Sequence, residues 1–298
     1  MGIKNSKWVG NSINAVMECL SEFSVVTWNV WNNVDCDVGV RARLIGETLS
    51  RLSPDVVMLQ ELTAPLLSAL DALSCFSLLF PHRLLPSFDR FPYGTAMFAV
   101  RPLEHCARVA HAGSLQGRDV LAALAHTKDG KCAAYLVTSH LESLGSGSLE
   151  REVQTNEVLQ LLHHAHLVQQ LRPHVRIFGG DMNLKSHTDG DVSKVVPKEY
   201  WIDPWLEIES NEDGFTRGKE RLDRFFVANN PGKNWSIKGV SVIGKEKMFS
   251  KAMQKELTGS DHFGVLLRLN LDGGREESLP LPPPEIKFQR PQTWMKYI

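Results

Sequence analysis

Little in this sequence is extreme, and each thing it lacks removes a class of protein. An excess of charge is missing: 33 Lys and Arg stand against 34 Asp and Glu, a formal net charge of −1. A domain that coats duplex nucleic acid through a broad basic face carries a far more positive balance, so any nucleic-acid role needs a local cationic groove. Long hydrophobic runs are missing too. No stretch reaches the roughly 18 apolar residues of a membrane-spanning helix, and Glu18 and Glu22 interrupt the start where a secretory leader stays apolar. Cysteine is sparse: Cys19, Cys36, Cys75, Cys106 and Cys132 are odd in number, scattered and never in a CxxC pair. That pattern supports neither a disulfide framework nor a structural zinc site, and it points to a reducing, intracellular setting, nucleus or cytoplasm. Internal repeats and long low-complexity tracts are absent as well.

What is present fits one sizeable core: 298 residues, 43% of them hydrophobic. Residues 1–22 form a mixed, polar N-terminal segment, 23–271 alternate between strand and helix patterns, and 272–298 form a Pro-rich tail. Short runs rich in Val, Leu, Ile and Phe predict strands at 23–30, 55–62, 95–100, 121–127, 133–141, 175–179, 222–228 and 263–271. Helix patterns lie at 40–52, 64–73 and 149–171, the second with Pro65 in its first turn, where a missing N–H costs little. Strands spaced this irregularly, with few helical crossovers, predict two packed sheets with helices outside rather than a doubly wound parallel sheet.

Several strand runs end on groups able to bind metal or move protons. Val25-Val26-Thr27-Trp28 runs into Asn29, Val56-Val57-Met58-Leu59-Gln60 into Glu61, and Tyr135-Leu136-Val137-Thr138-Ser139 into His140. Ile177-Phe178-Gly179-Gly180 runs into Asp181-Met182-Asn183, and Ser260-Asp261-His262 precede the last strand. Any one of these is an ordinary strand cap; five together read as a site presented by rigid strands. Their chemistry suits metal-assisted phosphoryl transfer. Asn29 and Glu61 offer hard oxygen ligands for Mg²⁺ or Mn²⁺, and such a cation polarises a phosphoryl oxygen. Asp181 is then available as general base with Asn183 orienting water, while His140 and His262 donate to non-bridging oxygens. Asp223, in Arg221-Leu222-Asp223-Arg224, is placed to orient His262 and favour its charged form.

The segments TWN (27–29), LQE (59–61), TSHLES (138–143), GGDMNL (179–184), RLD (221–223) and GSDHFGV (259–265) stand in the order found in the endonuclease/exonuclease/phosphatase superfamily. The chain resembles that superfamily over about 23–271. The resemblance implies an α/β, DNase I-like fold, a four-layer sandwich of two mixed β-sheets with helices outside. It implies Asn29 and Glu61 at the metal, Asp181 and Asn183 at the water, and His140 and His262 at the phosphate. It adds Asp261 as a further site carboxylate and Asp223 as the partner of His262. TSHLES, GDMNL and SDHFGVLL are most similar to the tyrosyl-DNA phosphodiesterase branch, which implies hydrolysis of a 5′-phosphotyrosyl bond at a nucleic-acid end. Arg118 then matches an arginine facing the phosphate, where a bidentate fork is useful. The chain departs from that branch at Lys185, where an arginine is usual, and at Phe215-Thr216-Arg217, where a Trp is usual.

Other features carry weaker expectations. Met1-Gly2-Ile3-Lys4-Asn5-Ser6 fits an N-myristoylation pattern. An acyl chain on Gly2 gives weak membrane association and raises the alternative of a phospholipid or sphingolipid phosphodiesterase. His163, His164 and His166 do not share one helix face and are expected to be solvated. Among the aromatics near the motifs, Trp31, Phe88 and Phe91 are expected in packing, and Tyr93, in a loop before its strand, in substrate contact.

Overall fold

The computed structural model describes residues 20–143, 148–164, 171, 173–185, 196–208, 212–229 and 234–272. Gly2, the side chains of His163 and His164, His166 and the tail beyond Asp272 lie outside them. In chain order the described elements are β1 (Ser21–Asn29), α1 (Val38–Leu52), β2 (Val56–Thr63), α2 (Ala64–Asp71), α3 (Ser74–Ser77), β3 (His82–Leu84), β4 (Tyr93–Ala99), β5 (Glu104–Ala110), β6 (Asp119–His126) and β7 (Ala133–His140). There follow α4 (Ser148–His164), β8 (Val175–Asp181), β9 (Trp201–Ile202), α5 (Pro204–Glu207), β10 (Asp223–Ala228), β11 (Trp235–Ile243), β12 (Met248–Ser250), β13 (Lys255–Leu257) and β14 (Gly264–Leu271).

Two six-stranded mixed sheets result, ordered β11-β14-β1-β2-β4-β3 and β5-β6-β7-β8-β10-β9, with β12-β13 as a separate hairpin. Their central strands read as continuous apolar runs because both faces are covered. Side chains alternate along a strand. Phe23, Val25, Val56 and Met58 of one sheet therefore meet Leu136, Ile177 and Phe225 of the other in a core between the sheets. Val26, Trp28, Val57 and Leu59 point the opposite way, onto Ala42, Ile45 and Leu49 of α1 and Leu66 and Leu70 of α2. On the far side Val137, Phe178 and Phe226 receive Val158, Leu159 and Leu162 of α4. The layers are therefore helix, sheet, sheet, helix.

Helices α1 and α2 begin where the sequence supplies a cap. The Asp37 carboxylate accepts the Val40 N–H at α1, and the Thr63 hydroxyl accepts the Leu66 N–H at α2, satisfying donors the first turn leaves open. Each sheet holds one parallel pair, β1–β2 and β7–β8, and the connections between these strands carry α1 and α4. A parallel pair delivers two carboxyl ends to the same end of a sheet. Antiparallel β14 beside β1, and β10 beside β8, bring their amino ends to that place. Topology alone thus gathers residues from six strand ends. No described helix is long and apolar enough to cross a membrane, and the described cysteines Cys36, Cys75, Cys106 and Cys132 are free.

Candidate active site

The register sets the first contacts. Asp223 of β10 pairs with Asp181 of β8, and Asp181 pairs in turn with His140 of β7. That close packing requires glycine at Gly180, where any side-chain carbon would press on the carbonyl oxygen of Ser139. In β2 the register slips between Leu59 and Leu62, and Glu61 adopts a left-handed φ of 59°. A bulge re-aims the side chain it carries; here Glu61 lines the cavity instead of continuing the strand's alternation. Gln60, beside it, is fully buried and donates to Thr27 Oγ1 and Thr138 Oγ1, each at 3.1 Å, which ties the two sheets together beneath the site.

Asn29 couples the two central acids. Its NH₂ donates to Glu61 Oε1 at 3.2 Å and to Asp181 Oδ2 at 2.9 Å, while its Oδ1 accepts the Trp31 N–H at 2.9 Å. The ligand oxygen expected of Asn29 is therefore turned to the backbone, because its amide nitrogen donates to both carboxylates. The Asn32 N–H donates to Glu61 Oε2 at 2.9 Å. Asp181 Oδ1 accepts the N–H of Asn183, itself left-handed at φ 49°, at 3.0 Å. The Asn183 amide donates to the Leu141 carbonyl at 3.2 Å.

Two histidines flank Asp181 in opposite charge states. His262 Nδ1 lies 2.8 Å from Asp223 Oδ2 and 3.9 Å from Asp181 Oδ2. Burial pulls its pKa down, but the charge and hydrogen bond of Asp223, with Asp181 and Asp261, outweigh that and lift it to about 9. His140 is driven well below 6.5 by burial, by the Arg118 guanidinium and by charged His262. Arg118 Nη1 sits 2.6 Å from His140 Nδ1. A guanidinium only donates, so Nδ1 must accept and the ring proton resides on Nε2. That Nε2–H lies 3.3 Å from Asp181 Oδ2 and 3.8 Å from Glu61 Oε1. Burial raises the pKa of Asp181, and repulsion from Asp223 adds to it, against the pull of His262, Asn29 and Asn183. A carboxylate raised in this way is a stronger base.

Of these groups Asn32, Glu61, Arg118 and His262 line a cavity of about 240 Å³, together with Trp31, Tyr93, Gln116, Ser143, Arg217 and Asp261, while Asn29, His140, Asp181, Asn183 and Asp223 do not line it. Tyr93 is not in a loop, as its sequence context suggested; it opens β4, paired with Thr63 after the β2 bulge, with the Arg118 guanidinium 5.8 Å above its ring. Trp31 also lines the cavity rather than the core, since Asn29 and Arg41 hold the loop after β1. Lys185 does not line it. Asp261 lies on the rim, 2.8 Å from Arg217. Buried Glu142 escaped the sequence reading although it lies inside TSHLES. It accepts from Ser114 Oγ at 2.9 Å, Gln116 N–H at 3.1 Å and Gln154 Nε2 at 3.2 Å, fixing the loop that presents Gln116 and Arg118.

The donor set fits a hard divalent cation at Glu61. Asp181, Asp223 and His262 offer ligand atoms within 4.8 Å of one another, but His262 is already the cation of that trio. Asp261 has Arg217. Glu61 is the cavity carboxylate with no lysine or arginine in ion-pair contact among the described residues; its hydrogen-bonding neighbours are amides, a neutral imidazole lies 3.8 Å away, and the buried Arg41 guanidinium acts on it only through space.

A buried carboxylate between two imidazoles, beside oxygen donors that fit a hard cation, at the strand ends of a two-sheet sandwich, suits a phosphoester hydrolase. Residues 26–262 match the endonuclease/exonuclease/phosphatase family, and the chain belongs to that family, with its DNase I-like fold. It is accordingly a phosphodiesterase-type hydrolase, in a family whose members depend on divalent metal. It is 27% identical to tyrosyl-DNA phosphodiesterase 2 of Xenopus tropicalis over 283 residues, covering 88% of this chain and 70% of that one. With the human protein of that name it is 26% identical, covering 84% and 69%. Among solved structures, Danio rerio TDP2 complexed with single-strand DNA product superposes with a TM-score of 0.67 at 25% identity, covering 84% of this chain and 99% of that one. A mannosyl-6-phosphatase of Bacteroides thetaiotaomicron shares the fold alone, at TM-score 0.65 and 17% identity, covering 83% and 99%.

Proposed function

We propose that the domain at 23–271 hydrolyses 5′-phosphotyrosyl bonds at nucleic-acid ends inside the cell, with Mg²⁺ or Mn²⁺. The observation that carries this is the run of side chains Arg118, His140, Asp181, His262 and Asp223. It sets a neutral and a charged imidazole on either side of one buried base. The names of the relatives and the single-strand DNA product in the Danio rerio structure supply the substrate class.

Glu61 holds the divalent ion, Asn29 keeps Glu61 and Asp181 in fixed relation, and Asp261 completes the acidic rim. The bound ion supplies Lewis-acid polarisation of a phosphoryl oxygen. Asp181, held through Oδ1 by Asn183, takes a proton from water as the water oxygen attacks phosphorus. Asn183 fixes the direction of that carboxylate. His262, charged because Asp223 holds its Nδ1–H, and His140, through Nε2–H, donate to the non-bridging oxygens as negative charge builds on them. Arg118 locks the His140 tautomer. The bond from phosphorus to the tyrosyl oxygen breaks, tyrosine leaves as its phenolate and takes a proton from solvent, and the strand keeps a 5′-phosphate. Tyr93 and Trp31 flank the cavity where an aromatic leaving group would stack.

The test offers purified protein a 5′-phosphotyrosyl oligonucleotide, an abasic duplex and sphingomyelin, each with Mg²⁺ and with EDTA. Release of tyrosine with Mg²⁺, and none with EDTA, is the expected result. Turnover of the lipid or the abasic duplex instead would overturn the substrate and revive recruitment through an acylated Gly2.

A further inference from the structure

Arg217 shares the cavity with Arg118, yet the two are held very differently. Arg118 is buried, with one donor on His140 Nδ1 at 2.6 Å and another 3.4 Å from Ser143 Oγ. Its fork is committed to holding the reaction centre. The Arg217 side chain is 53% exposed and, among the described residues, held by one ion pair, Nη2 to Asp261 Oδ2 at 2.8 Å. An exposed pair of this kind contributes little and exchanges easily, whereas a guanidinium on a phosphate gains two parallel charge-assisted hydrogen bonds.

The backbone under Arg217 is far firmer than its side chain. Residues 216–220 close a tight turn, with Thr216 N–H donating to Glu220 O at 2.9 Å and Glu220 N–H to Arg217 O at 3.1 Å. Gly218 supplies the φ of +59° that the turn requires. Thr216 is fully buried; its hydroxyl accepts the N–H of both Leu222 and Asp223 at 3.1 Å, and its carbonyl accepts the Phe263 N–H at 2.8 Å. The turn is thus tied to the residues adjoining Asp223 and His262, so Arg217 stands at a fixed offset from the reaction centre. Lys219, exposed on the same turn, adds a second positive charge.

We infer that Arg217 determines specificity by reading a phosphate that flanks the scissile one, exchanging Asp261 for it. This rests on the proposed function, since both need a 5′-phosphate seated against His140 and His262. A strand running from that position over the rim meets Arg217 with its next phosphodiester. The preferred substrate is therefore a strand end carrying at least one further phosphodiester, not the aryl ester of a lone nucleotide.

The test compares thymidine 5′-(4-nitrophenyl phosphate) with a thymidine trinucleotide bearing the same 5′ ester, followed by nitrophenol release. Wild type should favour the trinucleotide about tenfold in kcat/KM, and Arg217→Ala should lose at least fivefold more on the trinucleotide than on the mononucleotide. Arg217→Lys, which keeps the charge and loses the fork, should fall between. In Arg217→Ala the slope of log KM against log salt for the trinucleotide should flatten by about 0.7, the value for one lost single-strand phosphate contact. If Arg217→Ala fails to fold, seen by circular dichroism, Arg217→Gln takes its place. Equal losses on both esters, or no trinucleotide preference in wild type, would overturn this inference alone. No turnover of either ester by wild type would overturn the proposed function and this inference with it.

Discussion

Replacing Asp223 with Asn removes the anion that does most to keep His262 charged. His262 sits at about 9 instead of 6.5 although burial alone would lower it, and Asp223 opposes that burial through both charge and a 2.8 Å hydrogen bond. A lift of that size corresponds to roughly 3 kcal/mol, shared among Asp223, Asp181 and Asp261. The sign follows from the direction. A histidine raised on folding stabilises fully below its unfolded value near 6.5, and that contribution fades as pH rises towards 9. In metal-free protein at pH 6, Asp223→Asn should therefore lose roughly 2 kcal/mol, which lowers Tm by about 5 °C. The gap should close, or reverse, above pH 9, because wild type then keeps two buried carboxylates, Asp181 and Asp223, with no charged imidazole between them. Tm measured from pH 6 to pH 10 in EDTA, with the His262 ring followed by NMR, decides the matter. A gap that does not change with pH, or a wild-type His262 titrating near 6.5, would refute this account of the site's charge.

Other expectations follow from single contacts. Gly180→Ala should cost about 3 kcal/mol, read as a lowered Tm, because its new methyl meets the Ser139 carbonyl within the β7–β8 ladder. Glu61→Gln should weaken Mn²⁺ binding at least tenfold by calorimetry while leaving Tm in EDTA close to wild type; unchanged affinity would move the cation away from β2. His262→Ala should lower turnover on the order of 10²-fold with KM changed much less, since its donor acts on charge that builds in the transition state.

Much of the site was legible because the same strand ends that stop an apolar run also carry polar groups. The runs into Asn29, Glu61, His140 and Asp181 could be read from composition, and so could two packed sheets. Six strands carry no such signal: β3, β9, β12 and β13 are only two or three residues long, while β5 is exposed or half-buried throughout and β11 mostly half-buried, so both lack the buried run that marks β1 or β8. Pro92 and Gly94 beside Tyr93 are turn formers and favour a loop there, yet pairing with β2 beyond the bulge extends the strand through it. No pattern in the sequence reveals that Asn29 turns its oxygen to Trp31, that Glu142 supports the Arg118 loop, or that Asp261 meets Arg217. The last two contacts join segments far apart in the chain, and Asn29 turns its oxygen to nearby Trp31 only because its amide nitrogen meets the distant Glu61 and Asp181 once the sheets have packed.

The most direct measurement is hydrolysis of a 5′-phosphotyrosyl oligonucleotide in H₂¹⁸O with Mg²⁺, analysed by mass spectrometry, with Asp181→Asn as the comparison. One ¹⁸O in the 5′-phosphate, none in the released tyrosine, and a loss on the order of 10²-fold in Asp181→Asn are predicted. Label in the tyrosine, no tyrosine released by wild type, or full turnover by Asp181→Asn would contradict water attack at phosphorus with Asp181 as base.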